Sequence, residues 1–162
     1  MVALNAHLPD EAATLAVGAA LAAGLEPGLV VFLRGDLGAG KTTLARGVLR
    51  ALGHAGPVKS PTYSLVELYE VSRLTLHHFD FYRFHDPREW TEAGFRESFN
   101  GRTVCLVEWP ERAAGMLPPA DVEITLAASG YGRSVSLRAC SASGTRCLER
   151  AARHFAFSSS TC

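Results

Sequence analysis

The chain has 162 residues, of which 48% are apolar, and its 16 basic side chains balance its 16 acidic ones. This length and apolar content are typical of one domain with its own hydrophobic core. The zero net charge does not favour a protein that binds nucleic acid unaided, because such proteins neutralise phosphates with an excess of Lys and Arg.

The first third of the chain predicts strand, helix, strand, glycine-rich turn and helix. Asp10 is a plausible N-cap for the first helix, and Gly24 suits its end. The run "LVVFL" is continuous, apolar and partly β-branched, as in a buried parallel strand. The predicted ranges are 2–8 for a short edge strand, 9–25 for the first helix, 29–33 for the buried strand, 35–40 for the turn and 41–53 for the second helix.

The rest of the chain predicts two hairpins, a second buried strand and further helices. Strand and helix segments alternate, which favours a three-layer α/β domain with antiparallel hairpins and with the two apolar strands, 29–33 and 103–108, at its centre. We expect a single domain over residues 1–140 and then a tail, 141–162, with a helical turn, a mobile end and no assigned role. The predicted ranges are 56–71 and 73–84 for a hairpin, 86–99 for a helix, 103–109 for a strand, 110–117 for a short helix, and 121–128 with 133–139 for the last hairpin.

Targeting and redox features predict a cytoplasmic protein. No apolar run approaches the roughly 18 residues of a membrane span, and the first residues carry Asp10 and Glu11 where a secretory signal would be basic. The four cysteines form no CxxC pair and fit no zinc-ligand spacing. We therefore expect reduced thiols without a role, and no contact with a membrane.

The segment "GDLGAGKT", residues 35–42, matches the phosphate-binding pattern G-x-x-x-x-G-K-[ST] between an apolar strand and an amphipathic helix. Its glycines let successive backbone N–H groups point inward, and the helix dipole favours an anion at the same place. Lys41 can reach the β- and γ-phosphates, and the Thr42 hydroxyl can bind Mg²⁺. This loop is predicted to bind a nucleoside triphosphate with magnesium.

Two acids are candidates for the second half of such a site. Glu108 ends the apolar run "TVCLV", and Asp80 lies in "HHFDFYR"; either could hold Mg²⁺ or orient a water. The lack of an Asn-Lys-x-Asp motif favours ATP over GTP. Strand alternation puts His77 and His78 on opposite faces of the strand. One of them could be functional, but we expect ordinary packed or exposed histidines. Trp109 is either a packing residue or a gate over the nucleotide.

Four segments in this order resemble the TsaE family, formerly YjeE, over roughly residues 8–138. They are "GDLGAGKTTLARG", "SPTY" (60–63), "HHFDFYR" (77–83) and "VEWPER" (107–112). The family consists of small bacterial P-loop ATPases that act in the synthesis of threonylcarbamoyladenosine in tRNA. The resemblance implies a P-loop fold with a mixed sheet and ATP hydrolysis that is weak in isolation. It also implies that the TsaD and TsaB proteins are partners, with tRNA reached only through their complex and no binding to DNA.

The resemblance also implies roles for individual residues. Lys41, Asp80 and Glu108 would be catalytic, and Thr42, Glu108 and Asp80 would hold Mg²⁺. Glu11 would border the base and Arg133 would lie near the nucleotide. The residues expected to wrap the phosphates are Asp36, Leu37, Gly38, Ala39, Gly40, Lys41, Thr42 and Thr43; those expected to sense the nucleotide or meet the partner are Ser60, Thr62, Tyr63 and Trp109.

Two other functions remain open from the residues alone. A small-molecule kinase would use the same loop, but its arginine-rich lid is not visible, since Arg83, Arg88, Arg96 and Arg102 are scattered. A non-enzymatic module would bind ATP as a ligand, although Asp80 and Glu108 look placed for chemistry. The product of the reaction, free phosphate or a phosphorylated metabolite, separates the first two functions.

Overall fold

The structure is a computed structural model that describes residues 2–161. It contains eight strands and four α-helices, numbered in chain order. The strands β1 to β8 are Val2–Leu8, Val30–Arg34, Val66–Val71, Leu74–Asp80, Val104–Glu108, Val122–Ser129, Gly132–Ala139 and Ser158–Thr161. The helices α1 to α4 are Glu11–Ala22, Lys41–Ala51, Pro87–Glu92 and Ala142–Ala151.

All eight strands form one mixed sheet in the order β3-β4-β5-β2-β6-β7-β1-β8. Strands β4, β5, β2 and β6 are mutually parallel, and the hairpins β3–β4 and β6–β7 are antiparallel. Alternate residues of the central strands point to opposite sides, so that Val31 and Leu33 join one apolar cluster with α1, α2 and α4. Val30 and Phe32 join the other cluster with α3. This three-layer α/β arrangement confirms the predicted fold class.

Two helices on the first side approach each other through glycines. A Cβ atom on Gly18 of α1 would lie 2.3 Å from the Leu44 carbonyl oxygen of α2. A Cβ atom on Gly47 of α2 would lie 2.3 Å from the Leu15 carbonyl oxygen of α1. The predicted cap of α1 is confirmed, since an Asp10 carboxylate oxygen accepts from the Ala13 N–H at 2.9 Å. None of the helices within residues 2–161 is both long and apolar enough to cross a membrane.

Some predicted boundaries are corrected. The segment 86–99 is not one helix: Gly94, with φ of 68°, separates α3 from a 3₁₀ turn at Phe95–Ser98. The helix predicted over 110–117 is only a 3₁₀ turn at Pro110–Ala113. The strand predicted over 73–84 ends at Asp80, whose side chain accepts from the Tyr82 N–H and so closes a turn.

The end of the chain extends the sheet. Strand β1 is not an edge strand, because β8 pairs with its free side. Helix α4 places Cys147 and Leu148 in the larger apolar cluster, and its Gly144 would put a Cβ atom 1.9 Å from the Asp121 carbonyl oxygen. Helix α4 and β8 therefore pack against the rest of the fold, although the sequence analysis assigned residues 141–162 no role. Cys162, at the end expected to be mobile, lies outside the described residues.

Candidate functional site

The glycine-rich turn lies between the end of β2 and the start of α2. Gly35, Gly38 and Gly40 have φ values of 147°, 77° and 106°, a region that side chains with a Cβ atom rarely adopt. Gly40 is the residue before α2, so the backbone N–H groups of the turn run directly into the positive end of that helix. The local sequence therefore builds an anion-binding turn.

Arg133 supports this turn from the side of β7. Its Nε donates to the Ala39 carbonyl at 3.1 Å and its Nη2 to the Gly38 carbonyl at 3.0 Å. These bonds occupy two carbonyl oxygens of the turn and fix its backbone to β7. Arg133 also lines a cleft of about 220 Å³ with Glu11, whose carboxylate lies 3.7 Å from Arg46.

The two candidate acids lie side by side. Asp80 and Glu108 are the last residues of β4 and β5, and these parallel strands pair them in register. Because the carboxyl ends of parallel strands meet at one edge of the sheet, both acids face the turn that follows β2. Asp80 is 4% exposed and Glu108 is 2% exposed, so both carboxylates depend on protein groups for hydrogen bonds.

Glu108 is held between α2 and β4. The Thr42 hydroxyl lies 3.1 Å from its Oε2 and 3.3 Å from its Oε1. On the other side, Nε2 of His78 lies 2.7 Å from Oε2. The structure thus brings together Thr42 and Glu108, the two residues expected to share a magnesium ion.

Asp80 is joined to the "SPTY" segment instead. The Ser60 hydroxyl donates to its Oδ2, and the Tyr82 N–H donates to its Oδ1 at 2.9 Å. The Asp80 N–H donates to the Leu65 carbonyl at 3.0 Å. The loop that carries Thr62 is therefore tied to the end of β4 through two residues, one on each side of it.

Lys41 is buried beneath the turn with 5% of its surface exposed. Its ammonium group donates to the Gly35 carbonyl and lies 3.9 Å from the centre of the Trp109 ring, which is within range of a cation–π interaction. Burial lowers the pKa of Lys41, while the charges of Glu108 and Asp80 act in the opposite direction. A phosphate group would supply the anionic partner that the carbonyl and the ring replace here.

Trp109 adopts a left-handed backbone conformation, with φ of 56°, between β5 and the turn at 110–113. This conformation turns its ring back over the cleft, against Lys41 and 5.0 Å from the Tyr82 ring. The half-buried Trp109 side chain lines the cleft and also packs against the second apolar cluster, so its position is compatible with both expectations, a gate and a packing residue.

These groups line one cleft of about 410 Å³, within the range of small-ligand sites. Its lining residues are Leu37, Gly38, Ala39, Gly40, Lys41, Thr42, Thr43, Ser60, Thr62, Asp80, Tyr82, Arg83, Glu108 and Trp109. Four predicted residues lie elsewhere. Glu11 and Arg133 line the adjacent smaller cleft, Asp36 is exposed on the outside of the turn, and Tyr63 is 85% exposed with the Arg83 guanidinium 4.8 Å from its ring centre.

Sequence analysis assigned neither His78 nor Tyr82 to this site. His78 was expected to be an ordinary packed or exposed histidine, but it contacts Glu108. Tyr82 lines the cleft, and so does Arg83, which the sequence offered only as a lid arginine of a kinase. A signal for His78 existed, because residues two apart on a strand share a face and His78 is two residues before Asp80. The other arginines considered for a lid, Arg88, Arg96 and Arg102, are exposed and do not line the cleft.

Comparison with known proteins gives one consistent result. Residues 8–135 match the family model described as threonylcarbamoyl adenosine biosynthesis protein TsaE. The tRNA threonylcarbamoyladenosine biosynthesis protein TsaE of Haemophilus influenzae is 44% identical over 142 residues, which are 85% of this chain and 90% of that protein. The protein of the same name from Bacillus subtilis is 40% identical over 122 residues, 75% of each chain.

A solved structure gives the same result for the fold. The crystal structure of Bacillus subtilis YdiB superposes with a TM-score of 0.78 at 31% sequence identity, and the match covers 95% of this chain and 97% of that one. Since 5% of 162 residues is about 8, the match includes part of residues 141–162, which number 22. Part of the segment beyond residue 140 is therefore shared with YdiB.

Proposed function

Because the chain belongs to the TsaE family of tRNA threonylcarbamoyladenosine biosynthesis proteins, we propose that it is the ATP-hydrolysing component of this modification pathway. It binds ATP with Mg²⁺ between the glycine-rich turn and the ends of β4 and β5. Hydrolysis is weak in the isolated protein and rises on a complex of TsaD and TsaB. The cycle of binding and hydrolysis returns that complex to its active state between turnovers.

One observation carries this proposal: a buried ammonium group, a hydroxyl and a carboxylate converge on an anion-binding turn. Lys41, Thr42 and Glu108 line the same cleft, and the Thr42 and Glu108 side chains already contact each other at 3.1 Å. A turn of N–H groups with a positive charge beside it favours phosphate. The hydroxyl and carboxylate beside it are oxygen ligands, which Mg²⁺ prefers.

The residues present fit a magnesium nucleotide. Thr42 and Glu108 would hold the ion, which when bound neutralises charge on the β- and γ-phosphates. On nucleotide binding, the Lys41 ammonium group would contact phosphate oxygens in place of the Gly35 carbonyl and the Trp109 ring. In this proposal Asp80, at the end of the neighbouring strand, orients an attacking water, and its hydrogen bond from Ser60 links hydrolysis to the loop of Thr62.

The absence of a net charge supports action through partners. A protein with 16 basic and 16 acidic side chains has no general excess of positive charge for gripping tRNA. We propose that tRNA is reached only through TsaD and TsaB in the cytoplasm, and that Thr62, Tyr63 and Trp109, at or beside the cleft, signal its nucleotide state to these partners.

The test is phosphate release from ATP by the purified protein, alone and with the TsaD–TsaB complex. We expect slow release alone and a clear increase with the complex. Glu108→Gln should remove the release in both conditions, because an amide is a poor magnesium ligand, while the fold is retained as judged by circular dichroism.

Two outcomes would contradict the proposal. Release that is unaffected by TsaD–TsaB would argue against partner-dependent hydrolysis. Transfer of radiolabelled γ-phosphate to an added metabolite, with no free phosphate, would indicate a kinase.

A further inference from the structure

His78 is the one buried ionisable group beside the cleft that the proposed chemistry does not yet use. Its side chain is fully buried on β4, on the same face as Asp80 and beneath the start of α2. Its Nε2 lies 2.7 Å from Oε2 of Glu108. Within the described residues, its Nδ1 is buried with no hydrogen-bond partner.

The direction of this hydrogen bond follows from the ionised form of Glu108, the form that would bind a metal ion and that only accepts hydrogen bonds. An imidazole nitrogen without hydrogen would be an acceptor, and two acceptors 2.7 Å apart repel each other. Nε2 therefore carries a hydrogen and donates it to Glu108. A neutral ring with this tautomer leaves only the Nδ1 lone pair unpaired, which costs less than an unpaired buried N–H.

Two side chains hold the Glu108 carboxylate, because His78 from β4 and Thr42 from α2 both contact its Oε2. Without His78, a carboxylate on a flexible stem could rotate away from Thr42. Groups that donate hydrogen bonds to a metal-binding side chain commonly fix its orientation in this way.

We propose that His78 is a positioning residue that holds the Glu108 carboxylate toward Thr42, so that the two present a ready pair of oxygen ligands to the magnesium ion of the bound nucleotide. This inference rests on the proposed function. His78 touches neither nucleotide nor metal and acts only through Glu108.

The experiment separates hydrogen bonding from packing. His78→Leu fills space without a donor, and His78→Gln places an amide N–H near the position of Nε2. The matched control is His77→Leu on the other face of β4, where His77 contacts Ser98 at 2.8 Å and does not line the cleft. The dissociation constant of the fluorescent analogue mant-ATP is measured for each protein in excess Mg²⁺ and in EDTA.

We expect His78→Leu to weaken binding in Mg²⁺ by roughly 10-fold or more, the usual effect of removing such a group, and to leave binding in EDTA unchanged. His78→Gln should restore most of the difference, and His77→Leu should match the unmodified protein. The Mg²⁺ concentration for half-maximal phosphate release should rise in the same order.

Four results would overturn the inference. Equal losses in Mg²⁺ and in EDTA, or equal losses with Leu and Gln, would show that His78 only packs. If His78→Leu does not fold, His78→Asn replaces it, since its shorter amide does not reach Glu108, and Asn and Gln variants with the same affinity exclude the role. If the unmodified protein itself shows no magnesium-dependent binding, the proposed function fails and His78 loses its role with it.

Discussion

The two halves of the sheet differ in where they keep their charges. At the parallel centre, β4, β5 and β2 end in a cleft, and the buried Lys, His, Asp and Glu side chains among residues 2–159 lie at or beside it: Lys41, His78, Asp80 and Glu108. At the antiparallel flank, formed by β7, β1, β8 and α4, the ion pairs are partly exposed. Glu26 there contacts Arg146 at 2.8 Å and Arg150 at 3.2 Å.

This difference indicates that the parallel centre is the half that is built for a ligand. Buried charges lose hydration, so they persist only with partners of opposite charge or with hydrogen bonds. In the centre these partners are incomplete, since Lys41 contacts a carbonyl and a ring rather than a carboxylate. The flank is held by apolar packing and close backbone contacts, which need no ligand. Four predictions test this difference between the two halves.

The largest expected effect is on the reactivity of two buried cysteines. It tests whether the two halves of the sheet also differ in regions away from the strand ends. Cys105 in β5 and Cys147 in α4 are both fully buried, and burial raises the pKa of each to about 12. At pH 8.5 about half of the thiols of an unfolded chain are thiolates. We therefore expect alkylation of both cysteines to be roughly 1,000-fold slower in the folded protein than in the unfolded protein. Mass spectrometry after iodoacetamide treatment measures it, with half-buried Cys140 as the internal reference.

Reaction of only Cys105 would show that the parallel centre opens more readily than the flank. Equal protection of both cysteines would confine the difference between the halves to the cleft.

The second prediction concerns the affinity of the central cleft for nucleotide. Lys41→Ala removes a charge-assisted hydrogen bond of about 1.5–3 kcal/mol, so nucleotide affinity should fall roughly 10- to 100-fold. The free energy of unfolding should change little, because the removed charge was buried without an anionic hydrogen-bond partner. Isothermal titration and urea unfolding measure the two quantities. Exposed Lys59, the other lysine of the chain, provides the control as Lys59→Ala.

The third prediction concerns a substitution in the flank that should lower the free energy of unfolding and leave nucleotide affinity unchanged. Gly144→Ala in α4 adds a Cβ atom 1.9 Å from the Asp121 carbonyl oxygen, which the backbone must move to relieve. We expect the free energy of unfolding to fall by about 2 kcal/mol, with nucleotide affinity unchanged in the folded protein. Thr145→Ala, at the next position of the helix, should change stability by less than about 0.5 kcal/mol. A large loss of affinity would show that the halves are coupled.

The smallest effect concerns the ion pairs of the flank. Hydrogen bonding to Arg146 is the main cause that lowers the pKa of Glu26 below 4.5. A lowered pKa means that the stabilisation is present above 4.5 and is lost as the pH falls through the folded value. Because the pair is partly exposed, Glu26→Gln should cost less than about 1 kcal/mol at pH 7 and nothing near pH 2. A cost that grew toward acid pH would contradict this assignment.

The features that depend on neighbouring residues along the chain could be predicted from the sequence alone. The glycine-rich turn, the Asp10 cap and the two hairpins were predicted correctly, because backbone conformation and alternation are local properties. The candidates Lys41, Thr42, Asp80 and Glu108 were also found from the sequence, since each stands in or beside a strand end with a recognisable pattern. The structure brings all four into one cleft.

Which of those side chains contact each other is known only from the tertiary structure. Thr42 meets Glu108 rather than Asp80, and His78 supports Glu108, because the parallel register of β4 and β5 sets which side chains share a position. The eighth strand and the position of α4 likewise depend on packing, since β8 and α4 contact segments more than 100 positions away. Register and packing arise from contacts between distant segments, and a pattern of neighbouring residues does not contain them.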